Sequence, residues 1–151
     1  MENSLKMDRI RDRQNRSWDG MFYSNQRLDL LIVSISGAGI YVCLETIKYL
    51  SDKFQDINLL ISISGGLFLF GIITNFISQI ANYQSNYDGY LMCDYKLDND
   101  ENKSDFNEDK IKHHKSKSEK YSKRTGIFNY ISAGFMLFGL FFMMFYFLFI
   151  F

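Results

Sequence analysis

Proline is absent from all 151 residues, which excludes proline kinks. Straight helices are therefore expected, with Gly37, Gly65, Gly66, Gly71, Gly134 and Gly139 as the other places where a helix can bend. Cysteine is nearly absent too: Cys43 falls in an apolar run and Cys93 in a polar one, on opposite sides of the topology argued below, so no disulfide framework is expected. The two histidines, His113 and His114, are adjacent and point to different faces of a helix, which is not a metal-ligand spacing. A phosphate-binding glycine loop, a nucleophile elbow and a Ser/His/Asp arrangement are all missing. No enzymatic activity, cofactor, metal or nucleic-acid partner is expected.

Charge is balanced overall, with 17 basic and 17 acidic side chains, but it is missing from long stretches. From Gly126 to Phe151 there is no charged residue, and phenylalanine recurs at Phe141, Phe142, Phe145, Phe147 and Phe149. A helix needs roughly 20 apolar residues to cross about 30 Å of hydrocarbon, and this stretch, Leu28 to Tyr49 and Ile57 to Ile80 all meet that requirement. The mean hydropathy of −0.14 averages these runs with very polar ones. The expected fold is all-α: an integral membrane bundle of three transmembrane helices, with a charged N-terminal helix and a flexible charged loop. The first apolar run begins only at Leu28 behind a charged lead, so it reads as an uncleaved anchor. Val42 before Cys43 is too bulky for a lipoprotein signal.

Basic residues favour the cytoplasmic face of a membrane. Arg27 precedes the first run, and Lys120, Lys123 and Arg124 precede the third, so both flanks are expected inside and Phe151 at the far interface. The chain then divides into a charged cytoplasmic helix (1–27), a first span (28–50), an outer turn (51–56), a second span (57–81), a cytoplasmic helix extension with a charged low-complexity loop (82–125) and a third span (126–151). Abundant Ile, Lys, Asn, Tyr and Phe lean towards a bacterial source and its inner membrane.

Arg9, Arg13 and Arg16 share a face of the N-terminal helix and, with Trp18, suit contact with anionic headgroups; a solvated arm that binds another protein is the alternative. Tyr83, Tyr87 and Tyr90 continue a helical period beyond the second span. After them an acidic block, Asp94 to Asp109, faces a basic one, Lys110 to Arg124, a composition expected to be flexible until a partner orders it. Asp98, Asp100, Asn102, Ser104 and Asp109 match a calcium-loop spacing, but Lys103 stands where the loop needs glycine and Asp109 where it needs glutamate.

Polar residues of the spans fall at similar depth: Ser34 and Ser36, then Thr74, Asn75, Ser78 and Gln79, then Asn129 and Ser132. They form either a pore lining in an oligomer or an interhelix hydrogen-bonded belt. Glu45 is read as the one carboxylate within the spans, near the outer interface and paired with Lys48 one turn on. Phe135, Phe138, Phe142, Phe145 and Phe149 are spaced as a helix-helix seam. Ile35-Ser36-Gly37, Ile63-Ser64-Gly65 and Ile131-Ser132-Ala133-Gly134 look alike, and are read as one packing requirement met three times.

A charged helix running through Tyr23, Asn25, Arg27 and Leu28 into a membrane hairpin resembles the small SLATT-type membrane effectors of bacterial anti-phage systems. The resemblance covers the N-terminal half and implies homo-oligomerisation and membrane permeabilisation on a cytoplasmic signal. The expected function is thus an oligomeric effector or pore subunit, controlled through residues 1–27 and 82–125 by a cytoplasmic partner. A non-conducting accessory subunit of a larger membrane complex is the alternative.

Overall fold

The computed structural model describes the backbone of residues 2–53, 58–102 and 108–149, and the side chains of 23, 26–53, 58–96 and 108–149. Three helices account for nearly all of it: α1 (Glu2–Asp52), α2 (Leu59–Asn102) and α3 (Glu108–Phe149). Each contains a segment long and apolar enough to cross a membrane. Good helix formers without an interrupting proline keep the polar and apolar parts of each helix continuous. α1 ends where Lys53 N donates to the carbonyls of Tyr49 and Leu50 at 3.2 and 3.1 Å. α2 begins on Asn58, whose Oδ1 accepts from Leu60 N at 2.9 Å and so satisfies a backbone donor that the first turn leaves open.

α2 and α3 form an antiparallel hairpin packed along nearly its whole length, and α1 leans chiefly on α2. The seam of the hairpin is made of small residues seven apart on both helices. Ser64, Gly71, Ser78 and Ser85 on α2 face Gly139, Ser132, Thr125 and Ser118 on α3. At every rung a hydroxyl bonds the backbone carbonyl opposite: Ser64 Oγ to Gly139 O at 2.6 Å, Ser132 Oγ to Gly71 O at 2.7 Å and Ser78 Oγ to Thr125 O at 3.0 Å. The last rung is reciprocal, since Ser85 Oγ donates to Ser118 O and Ser118 Oγ to Ser85 O, both at 2.9 Å. A side-chain oxygen reaches a carbonyl of the neighbouring helix only when the two backbones lie close, and small side chains are what allow it.

Between the first two rungs Phe68 is fully buried. Its ring fills space left by two glycines: a Cβ on Gly139 would lie 3.0 Å from the ring, and one on Gly39 of α1 would collide with it outright. Phe68 is thus the contact that ties all three helices together, with Ile32, Cys43, Leu50, Ile61, Met136 and Tyr146 completing the apolar core.

Two expectations are corrected. Residues 82–125 are not a loop among the described residues: α2 runs on to Asn102 and α3 starts at Glu108, so the hairpin continues as a helical stalk beyond its apolar part. The Ser85–Ser118 rung holds the stalk, and nearer its tip His114 Nδ1 donates to Asp88 Oδ1 at 2.8 Å, Tyr95 stacks on His114 at 5.7 Å and Lys110 Nζ lies 5.1 Å from the Tyr95 ring. Charge sits on the outer faces and small residues on the seam, so an average over the segment reads as disorder. The calcium-like spacing of Asp98 to Asp109 lies mostly outside the described side chains.

The phenylalanine seam is also overturned. Phe138, Phe145 and Phe149 are exposed, while Thr125, Ser132, Met136, Gly139 and Tyr146 are the buried face of α3. Bulky rings would hold the backbones too far apart for the hydroxyl bonds. By contrast, Ser36, Ser64 and Ser132 of the shared Ile-Ser motif are all fully buried, with Ser64 and Ser132 bonding across the hairpin and Ser36 making no hydrogen bond.

The glycines separate in a way that can be measured. Gly39→Ala drives a methyl into the Phe68 ring and is expected to destabilise by about 1–3 kcal/mol. Gly71→Ala, whose Cβ would meet Ser132 O at 3.5 Å, is expected to be nearly neutral. Thermal unfolding of both variants in detergent, followed by circular dichroism, checks the order.

Candidate functional site

The polar residues of the apolar segments divide into three groups. The first belongs to the hairpin seam. Ser78, Ser132 and Asn129 are used up there, with Ser78 Oγ bridging the Thr125 carbonyl and Asn129 Oδ1. Thr74 bonds back to Phe70 O at 2.7 Å on its own helix. Ser36 is buried against the hairpin, its hydroxyl without a hydrogen-bond partner.

The second group joins α1 to α2. Asn75, fully buried, donates Nδ2 to Asp29 Oδ1 at 2.8 Å and accepts from Gln79 Nε2 at 2.9 Å. This corrects the reading of Glu45 as the one carboxylate of the spans: Asp29 lies inside the first candidate span, Gln26–Asp52, and is the one that is partnered. Its place beside Arg27 hides it in the sequence among the flanking charges. Spacing that faces α2 would have found it, because Asp29, Ile32, Ser36, Gly39 and Cys43 follow one another at three- and four-residue steps on the face of α1 that packs on the hairpin.

Asp29 and Gln79 open onto a cleft of about 550 Å³ between α1 and α2, with Gln26, Asn82 and Asn86 at its polar end. Gln26 and Asn86 are exposed and Asn82 is half-buried.

The third group is the exposed face of α1, which at Tyr41 and Glu45 borders a shallow cleft shared with Phe147 of α3. Ser34, Ala38, Tyr41 and Glu45 are exposed along it, with Gly37 and Lys48 beside them. Glu45 and Lys48 form no ion pair, contrary to the sequence expectation. The outward faces of α2 and α3 are different in kind, showing Leu69, Phe70, Ile73, Phe138, Phe141 and Leu148. α1 thus exposes a run of small and polar side chains, interleaved with Leu30, Leu31 and Leu44, whereas on the apolar length of α2 such exposure is confined to residues such as Ser62 and Gln79.

Arg9, Arg13, Arg16 and Trp18 lie outside the described side chains. Arg27, the nearest described basic residue, sits over the Tyr23 ring at 4.7 Å. No group of His, Cys, Asp and Glu that would hold a metal occurs among the described residues.

No known protein family, curated protein or solved structure matches the chain.

Asn75→Leu strands Asp29 beside an apolar side chain and is expected to cost about 1–3 kcal/mol, since an unpaired polar group carries its full desolvation penalty. Replacing both residues, Asn75→Leu with Asp29→Leu, is expected to recover part of that loss. A double-mutant cycle on thermal unfolding in detergent reads the coupling, and strictly additive losses would contradict the contact.

Proposed function

We propose that the chain is an oligomeric membrane effector of the pore-forming kind, embedded by α1, α2 and α3. Copies meet along the outward face of α1. The observation that carries this reading is a stripe on α1, where Ser34, Gly37, Ala38, Tyr41 and Glu45, the last with no ion-pair partner among the described residues, lie exposed beside Leu30, Leu31 and Leu44, while the exposed apolar length of the hairpin is mostly bulky and suited to lipid. A carboxylate left without a partner in an apolar segment is costly against lipid, and is accommodated where it meets water or another chain. Small residues on the same stripe permit close approach between copies.

In such an assembly Asn75 acts inside each protomer, as the interhelix alternative had it, and Gln79 stays at the cleft between α1 and α2. The pathway follows the α1 stripe, with Ser34 towards one end and Glu45 towards the other. A ring of Glu45 carboxylates at a mouth attracts cations and repels anions.

Orientation follows from Arg27, Lys120, Lys123 and Arg124, which are exposed at the stalk end of the bundle and favour the cytoplasm. The stalk then projects inside, where its exposed Tyr83, Tyr87 and Tyr90 and the lysines of α3 are open to a cytoplasmic protein partner. A rigid helical stalk continuous with two spans suits the control of a pathway by such a partner. The resemblance of the N-terminal half to SLATT-type effectors supports the same reading and suggests anti-phage defence as its setting.

Single-channel recording in planar bilayers tests the assignment, with native mass spectrometry from nanodiscs giving the copy number. A closed oligomer that conducts is expected, with Glu45→Gln lowering the cation-over-anion permeability ratio several-fold and Ala38→Leu dissociating the assembly. A conducting oligomer whose selectivity ignores Glu45→Gln would move the pathway off α1. A monomer, or one copy bound to a larger protein, would point instead to an accessory subunit.

A further inference from the structure

We infer that the cleft between α1 and α2 is a lipid site that selects a headgroup bearing a primary ammonium, the chemistry of an ethanolamine phospholipid. The inference rests on the chain being embedded in a bilayer, and not on its copies forming a ring.

Three observations converge on it. The first is charge. Among the described residues Asp29 has a single hydrogen-bond partner, the neutral amide of Asn75, and its carboxylate opens to the cleft with no cationic side chain paired to it. An ionisable group within a span calls for a counter-charge, and an ammonium supplied from outside the chain provides one.

The second is the division of the walls. At one end Gln26, Asn82 and Asn86 present amides with no protein partner among the described residues, suited to phosphate and glycerol oxygens. Towards the other, Leu30, Val33 and Phe76 present an apolar surface suited to the start of an acyl chain. Polar groups at one end and apolar at the other match an amphiphile better than a soluble amine, and a cavity of about 550 Å³ is large enough for a headgroup with its first methylenes.

The third is depth. Asp29 lies only one turn inside the start of the first candidate span, Gln26–Asp52. That is headgroup height in a bilayer, and a lipid reaches the cleft sideways without leaving the leaflet. An ammonium keeps three donors for Asp29 and its neighbours, whereas choline has none, and phosphatidylglycerol brings no positive charge to the carboxylate.

The test is native mass spectrometry of the full chain released from nanodiscs holding equal amounts of phosphatidylethanolamine, phosphatidylcholine and phosphatidylglycerol. The ethanolamine lipid is expected to be retained over the other two by about tenfold, the factor that one charge-assisted hydrogen bond supplies. Asp29→Asn, nearly the same shape, is expected to erase that preference while leaving helix content unchanged. Equal retention of all three lipids overturns the proposal, as does a preference that survives Asp29→Asn.

A second measurement needs no variant. Replacing the ethanolamine lipid by its mono- and dimethylated forms removes donors one at a time, and retention by the unaltered chain should fall at each step. A flat series overturns the proposal even where Asp29→Asn fails to fold. Free glycerophosphoethanolamine, added at the same concentration as the lipid, should not displace it; displacement would make the ligand a soluble amine and overturn the lipid assignment. A monomer that keeps the preference would reject the pore and leave the lipid site standing.

Discussion

Everything in this fold depends on how near α2 and α3 come to each other. Four rungs of small residues let a hydroxyl cross from one helix to a carbonyl of the other, and at each rung a polar group that would be costly in an apolar setting is satisfied within the hairpin. Individual bonds of this kind are modest, averaging about 0.6 kcal/mol between membrane helices. Their larger effect is geometric. Once the backbones lie this close, aromatic side chains cannot remain on the seam, and they are displaced to the outer faces where lipid would receive them. Phe68 stays inside because glycines on both neighbouring helices make room for its ring, and Tyr146 is buried one heptad beyond Gly139, past the first rung.

The close hairpin also explains why α1 is set apart. With the polar groups of α2 and α3 largely spent on each other, the third helix is held by the Phe68 contact and by the Asp29–Asn75–Gln79 chain. Within the apolar part of the molecule, polar groups not spent on the seam lie at the cleft that α1 shares with Gln79, Asn82 and Asn86 of α2, and along the free face of α1. The two candidate sites share one origin: both lie where polar groups fall outside the hairpin seam.

Much of the architecture was legible in the sequence. Apolar runs of span length, the second and third without any charge, identify the three apolar segments, and the recurring Ile-Ser motif points to three buried serines. The stalk was not legible, because charge density dominated the reading of 82–125, although Ser78, Ser85, Ser118 and Thr125 carry the heptad straight through it. A period of seven in small residues is faint beside fifteen phenylalanines, yet it is the phenylalanines that report the lipid-like exterior and the serines that report the contact. Asp29 escaped for a different reason: a carboxylate beside Arg27 looks like part of a charged flank until the opposite helix brings an amide to it. The Glu45–Lys48 pair failed because residues one turn apart need a reason to bend towards each other, and on an exposed face there is none strong enough.

A ladder of near-identical rungs fixes a distance without naming a position. Sliding α3 along α2 by seven residues, about 10.5 Å, would again set small residues opposite small residues. What singles out the observed register are the contacts that do not repeat: Phe68 against Gly139 at one end, and Asp88 with His114 towards the other. After such a slip the ring would face the neighbourhood of Ser132, and Asp88 would lose its imidazole. The hairpin is thus a vernier, coarse in its serines and fine in two unique pairs, and movement between its helices would come in whole steps instead of by gradual creep.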